Sequence, residues 1–323
     1  MKVIGKTGND SIASVFIAQF SNGKLIEFVE SVQPPLTRKQ KWVIIVSTLF
    51  GCPVNCSFCD CGGSYNGKLT ADEILAQIDF AIKARFPKGF IQPDKFKIQF
   101  ARMGEPAFNP AVLDVLRVLP QRFNQTGLLP SLSTIAPESA SAFFDELIEI
   151  KNELYLGNFQ LQFSIHTTDV RLRDKLIPAK KWDFNRIASY GAHFRRTGDK
   201  KISLNFALAE GSEISTEKLL HYFNPDDFLI KITPVNPTIS ARRNNIESHV
   251  QANKVSYEII DKLRYCGYEV ILSIGELEEN GIGSNCGQYV INYLNSGIRL
   301  DDGYTYPLET LPDADEINSM QHL

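Results

Sequence analysis

Four of the six cysteines lie within ten residues: Cys52, Cys56, Cys59 and Cys61; the other two, Cys266 and Cys286, are far away. A secreted disulfide framework would spread its cysteines more evenly along a shorter chain. A tight cluster points instead to metal ligation or redox chemistry. Cys52, Cys56 and Cys59 are separated by three and then two residues. Zinc sites more often use two cysteine pairs held apart by a longer stretch, and ferredoxin spacings differ as well. Three thiolates on a four-iron cluster leave one iron open, which suits a chelating cofactor. The competing reading is a zinc knot built from Cys52, Cys56, Cys59 and Cys61.

Other polar residues follow at regular places. Met103-Gly104-Glu105-Pro106 comes after the strand-like run KFKIQFA, and a carboxylate there could accept hydrogen bonds from an ammonium group. Ser133-Thr134 ends LPSLST, Ser164-Ile165-His166 ends FQLQFSI, and Asn236-Pro237 ends FLIKITPV. Singly, each has a plainer explanation: Ser133 as a helix cap, His166 as a satisfied buried histidine. Together they place polar groups at the C-terminal ends of several strands, where β/α barrels keep their chemistry.

The elements that must carry these residues alternate. VIIVS (43–47), KFKIQFA (95–101), LPSLST (129–134), FQLQFSI (159–165), ISLNFAL (202–208) and FLIKITPV (228–235) read as strands, with YEVILSI (268–274) as a candidate seventh. Helical segments separate them. Thr70 and Glu73 form a capping box at the first, and Asn109-Pro110 opens the second. Further helices are expected before 150, up to Arg196 with Gly198 as the stop, from Thr216, over 247–265, and after Cys286. Before all of these, SVFIAQF and KLIEFVESV read as a hairpin turned at Ser21-Asn22-Gly23. The expected architecture is α/β: a partial six-fold β/α barrel over 42–300, a hairpin extension over 1–41, and a polar tail over 301–323.

Composition limits the function classes. Hydrophobic residues make up 43% and charged residues 22%, which excludes disordered and low-complexity chains. No apolar run is long enough to span a membrane, and the first residues lack a signal-peptide core, so a cytoplasmic location and no membrane partner are expected. The net charge is −3, from 34 basic and 37 acidic side chains, which argues against a dedicated nucleic-acid binder.

The triple-cysteine motif directly after the first barrel strand resembles that of radical S-adenosylmethionine enzymes. Adding Gly104-Glu105-Pro106, Ser133-Thr134, Ser164-Ile165-His166, Asn236-Pro237 and Asn285-Cys286-Gly287-Gln288, the chain resembles the RlmN/Cfr family of rRNA adenine methyltransferases from about residue 12 to 295. The resemblance implies that Cys52, Cys56 and Cys59 hold a 4Fe–4S cluster whose open iron binds S-adenosylmethionine. It implies that Gly104, Glu105, Ser133, Ser164, Ile165, His166 and Asn236 line the pocket of that cofactor. It makes Cys286 the methyl carrier, which is methylated by one S-adenosylmethionine and then loses a hydrogen to the radical formed from a second. It also implies a reducing partner such as flavodoxin or ferredoxin. Glu27 falls near the family's acidic proton acceptor, although its spacing to the cluster is longer.

Three departures bear on the substrate. The family's second catalytic cysteine, seven residues before the first cluster cysteine, is Ile45 here; Cys61 is the candidate substitute, and Cys266, before Gly267, reads as packing. Only about eleven residues precede the hairpin, where the rRNA enzymes carry a helical accessory domain. The segment before Cys286, usually basic, reads Gly275-Glu276-Leu277-Glu278-Glu279, which would repel a phosphate backbone. Arg195-Arg196 and Arg242-Arg243 are the remaining basic pairs. The sequence thus favours methyl transfer to a small molecule or peptide over RNA. Its alternatives are RNA methylation, radical chemistry without methyl transfer, and a non-catalytic zinc module.

Overall fold

The structure, a computed structural model, describes residues 1–88, 91–123, 127–251, 257–275, 277–284 and 305–311. One sheet organises them. Its strands are β1 (Lys2–Asn9), β2 (Ala13–Gln19), β3 (Leu25–Ser31), β4 (Trp42–Val46), β5 (Phe96–Phe100), β6 (Leu128–Thr134), β7 (Gln160–Ser164), β8 (Ile202–Ala207), β9 (Phe228–Thr233), β10 (Val270–Leu272) and β11 (Glu309–Thr310). The spatial order is β10-β9-β8-β7-β6-β5-β4-β3-β2-β1-β11. From β4 to β10 every pairing is parallel, so the candidate seventh strand is a full member. From β4 back to β1 every pairing is antiparallel.

The N-terminal extension is larger than a hairpin. VIGKTG alternates too weakly to announce a strand, yet β1 pairs with β2 along its whole length, and β11 adds to its outer edge through Gly5 and Lys6. That pairing also draws part of the 301–323 segment onto the extension, where Tyr306 and Leu308 pack against a small core.

The helices are α1 (Ala71–Arg85), α2 (Ala111–Phe123), α3 (Ser141–Ile150), α4 (Val170–Leu176), α5 (Phe184–Phe194), α6 (Thr216–Tyr222), α7 (Ile239–Arg243), α8 (Glu258–Tyr265) and α9 (Leu277–Ile282). The Thr70–Glu73 capping box forms at α1 as expected. The helical stretch expected up to Arg196 is two helices. Pro178 disfavours helical backbone at Ile177, and Asp169 and Asp183 each cap a separate start. The helix expected over 247–265 begins only at Glu258, while the shorter α7 precedes it. The helix expected after Cys286 falls outside the described residues.

Alternation along the strands decides where the core sits. Phe96, Ile98 and Phe100 of β5, Ile202, Leu204 and Phe206 of β8, and Ile230 and Ile232 of β9 join one large apolar cluster beneath the helices. The intervening residues face the other side of the sheet and are polar over much of it: Lys97 and Gln99, Ser203 and Asn205, Lys231 and Thr233. Over the extension that second face is apolar, and Ile12, Val15, Ile17 and Val29 pack with Ile282 of α9. The molecule has the expected α/β fold, a partial barrel of parallel strands with helical crossovers, extended at one edge by antiparallel strands. No helix among the described residues is long and apolar enough to cross a membrane.

Candidate functional site

The cysteine loop follows β4 and is pinned from three sides. Gly51 takes a positive φ of 78°, and a Cβ there would lie 2.2 Å from the Ser64 carbonyl oxygen, so only glycine lets the loop close on itself. Ser57 donates its amide to the Leu176 carbonyl and its hydroxyl to that of Lys175, fastening the loop to α4. Asp60 accepts from the amides of Ile239 and Ser240 at 3.1 and 2.8 Å, and so serves the free N–H groups opening α7. Thr238 donates its hydroxyl to the Phe58 carbonyl at 2.9 Å. The loop is thereby tied to the segment after β9 that carries Asn236.

Cys52, Cys56 and Cys59 are partly exposed and Cys61 is buried; none is in a disulfide. The Cys52 thiol is held below its ordinary range, first by a hydrogen bond from Cys61 and then by the amides of Val54 and Glu105, against the opposing effect of burial. That same bond and burial push Cys61 well up. Burial also raises Cys56. Among the described residues no three His, Cys, Asp or Glu side chains converge closely enough to hold a single metal ion. The donor set fits an iron–sulfur cluster: three thiols stand on one loop, and N–H and S–H donors are already aimed at one sulfur, as thiolate-bound clusters require.

Gly104 and Glu105 lie against this loop. Gly104 has a φ of 97°, and a Cβ on it would come 2.5 Å from the Leu49 side chain. Glu105 is buried. Its carboxylate accepts from the Thr134 hydroxyl at 2.5 Å, from the Ile135 amide at 2.9 Å and from the Ala107 amide at 3.0 Å. Burial nevertheless pushes its pKa up to about 7. The carboxyl group expected to meet a cofactor ammonium thus has a settled set of protein donors. Of the pair Ser133-Thr134, the partner of Glu105 is Thr134; Ser133 accepts from Gln162 on the polar face of the sheet.

His166 packs edge-on to Phe58, with ring centroids 4.9 Å apart, which brings it beside the cysteine loop. It has a positive φ of 65°, and its Nδ1 accepts from the Ala207 amide at 3.0 Å. Burial lowers its pKa to about 3, so the ring is neutral. The amides of Ile165 and His166 both donate to the Asn205 carbonyl. Ser164 is half-buried on the polar face, in register with Asn205. Asn236 lines a cavity of about 450 Å³ with Arg242, Ser248, Ile274 and Asn280. All of these lie after or at the C-terminal ends of β6 to β9.

Glu27 and Ile45 stand on β3 and β4 rather than on the cysteine loop, and the Glu27 amide donates to Met103 Sδ at 3.3 Å. Glu27, on β3, is fully buried and ion-paired at 2.5 Å with Arg102, a residue that the sequence did not single out although it directly precedes Met103-Gly104-Glu105. Ile45 packs in the apolar cluster of Val29 and Ile282. Cys286 lies outside the described residues, as does Glu276. Asp60, Thr238 and Phe58 were also missed. Asp60 directly follows Cys59, but its target amides are about 180 residues away in sequence.

No family model matches the chain. The chain is 28% identical over 280 residues to the dual-specificity RNA methyltransferase RlmN of Wolinella succinogenes, covering 82% of this chain and 74% of that protein. It is 27% identical over 237 residues to a probable dual-specificity RNA methyltransferase RlmN of Thermotoga maritima, covering 71% of this chain but only 63% of that relative's length. In fold it matches the crystal structure of a radical SAM methyltransferase from Sphaerobacter thermophilus with a TM-score of 0.64 at 21% identity, over 89% of this chain and 81% of the other. In sequence this chain resembles the RlmN group of dual-specificity RNA methyltransferases, and in fold a radical S-adenosylmethionine methyltransferase.

Proposed function

We propose that the chain cleaves S-adenosylmethionine reductively and transfers a one-carbon unit through Cys286 to a substrate other than ribosomal RNA, either a small molecule or a peptide. The observation that supports this reading is that the loop carrying Cys52, Cys56 and Cys59 lies beside Glu105 and His166 at one end of the parallel strands. Cys52, Cys56 and Cys59 would hold a 4Fe–4S cluster, and that group, when bound, supplies the electron that splits the sulfonium of S-adenosylmethionine. The protein's own residues do the rest. The Val54 and Glu105 amides and the Cys61 thiol keep Cys52 disposed to the thiolate. Asp60 and Thr238 hold the loop against the Asn236 segment. His166, neutral and fixed by Ala207, offers Nε2 to a nucleotide without carrying a charge. Cys286 supplies a sulfur that is nucleophilic enough to be alkylated.

The substrate reading rests on Ile45, which can neither take a proton nor form a disulfide, and on the acidic 276–279 segment. Cys61 is buried with its S–H engaged by Cys52, which supports a role in holding the loop over one in product release. The names of the curated relatives favour RNA as the second reading. A reducing partner of the flavodoxin or ferredoxin class completes the proposal.

Anaerobic reconstitution with S-adenosylmethionine labelled in its methyl group tests it. A methyl increment on Cys286 by mass spectrometry, together with 5′-deoxyadenosine release after reduction, is the expected result. Deoxyadenosine without any label on Cys286 would leave radical chemistry without methyl transfer. A colourless preparation that contains zinc and no iron would leave only a binding module.

A further inference from the structure

The polar face of the parallel sheet holds cations with no counter-charge among the described residues. Lys97 on β5 alternates with the core residues Phe96 and Ile98, and Lys231 on β9 alternates with Ile230 and Ile232, so both side chains leave the core for the inner face. Both are half-buried, and neither has a hydrogen-bond or ion-pair partner among the described residues. Four inter-strand steps separate β5 from β9 in the sheet, about 19 Å if it were flat. Lys231 nevertheless acts electrostatically on Lys97 and on Lys41, and Lys95 adds to both. Lys41, Lys97 and Lys231 are thus within electrostatic reach of one another.

Two further polar groups in the same place lack partners. Ser203 Oγ and Asn205 Oδ1, on β8, are buried and make no hydrogen bond. Asn205 is in register with Lys231, and Ser203 with Gln162 of β7. A buried hydroxyl or amide without a partner is costly, and buried ammonium groups are normally paired. Here two cations and two orphaned polar groups share one face, with no carboxylate paired to them among the described residues. A bound anion would satisfy all of them: the hydroxyl can donate, and the amide can be turned to present its NH₂.

We infer that the interior of the sheet binds the anionic group, carboxylate or phosphate, of a small-molecule substrate on Lys97, Lys231, Ser203 and Asn205. A concave interior admits such a group, whereas a folded RNA would meet only the rim. The inference takes from the proposed function that the reaction occurs on this side of the sheet, but its test does not depend on turnover.

Unfolding temperature of the reconstituted full chain is measured against inorganic phosphate and against succinate, at constant ionic strength, for the wild type and for Lys97→Met, Lys231→Met and Lys200→Met. The wild type is expected to show a saturable rise with one of the two anions, and the one that saturates names the group. Lys97→Met and Lys231→Met are each expected to shift the midpoint of that rise about tenfold toward higher anion concentration, while Lys200→Met, on the exposed surface, leaves it in place. Without added anion, both interior variants should unfold at a higher temperature than the wild type, because each removes an unpaired charge. No saturable rise in the wild type, an unshifted midpoint in both interior variants, or a lower unfolding temperature without anion would each overturn the inference. So would a short RNA hairpin that binds with dependence on both lysines, which would give them to a nucleic-acid backbone. A failure of Cys286 methylation would leave these measurements unaffected.

Discussion

Arg102 and Glu27 form a buried ion pair that joins the antiparallel extension to the parallel sheet. Arg102 Nη2 donates to Glu27 Oε1 at 2.5 Å, and both side chains are essentially inaccessible. The same guanidinium donates to the carbonyls of Gly283 at 2.8 Å and Ser284 at 2.6 Å. One side chain therefore binds β3, the end of β5 and the segment that follows α9. Removing one partner strands the other charge in a dry interior. Arg102→Met should destabilise the fold by about 3–5 kcal/mol in urea unfolding, and Arg102→Met with Glu27→Gln should recover a large part of that loss. Equal losses in the single and double variants would show that the pair is not coupled.

The fourth clustered cysteine distinguishes a three-thiol site from a four-thiol one. Cys61 is buried and hydrogen-bonds to Cys52, whereas the other three thiols are partly exposed. Cys61→Ala should retain iron at the wild-type stoichiometry after anaerobic reconstitution, while Cys52→Ala, Cys56→Ala and Cys59→Ala should each lose it. Loss of metal in all four variants would indicate a four-thiol site.

The neutral state of His166 gives a pH dependence of definite sign. Its pKa in the folded protein is lowered to about 3 by burial, against 6.5 for the free side chain. Between those values the unfolded chain binds the extra proton, so this contribution to stability is complete above pH 6.5 and is lost as the pH falls toward 3. The loss is on the order of 4 kcal/mol. His166→Gln, which cannot titrate, should flatten the acid side of a stability–pH curve; an unchanged slope would place the titration elsewhere.

Gly104 admits no side chain. A Cβ would meet Leu49 Cβ and Cγ at 2.5 Å, and its φ of 97° disfavours other residues. Gly104→Ala must displace Leu49 or turn Glu105 away from Thr134 and Cys52. Reduced iron loading is expected, with a loss of stability of about 1–3 kcal/mol. Wild-type loading and stability would show that the turn relaxes freely.

The parallel alternation from 42 to 274 was legible because each strand is a short β-branched or aromatic run followed by a capped helix. The cysteine spacing was legible because three thiols stand close together on one loop. Gly104, Glu105, His166 and Asn236 could be placed at strand ends by local pattern alone. The tertiary structure decided what no local pattern carries. The strand β1 is polar and glycine-containing, and it is held by pairing on both sides. Thr134 became the partner of Glu105 because alternation turns Ser133 to the other face. Arg102, Asp60, Lys97 and Lys231 look like ordinary charged residues in sequence. Their surroundings arise from contacts between distant segments, which only the tertiary fold brings together.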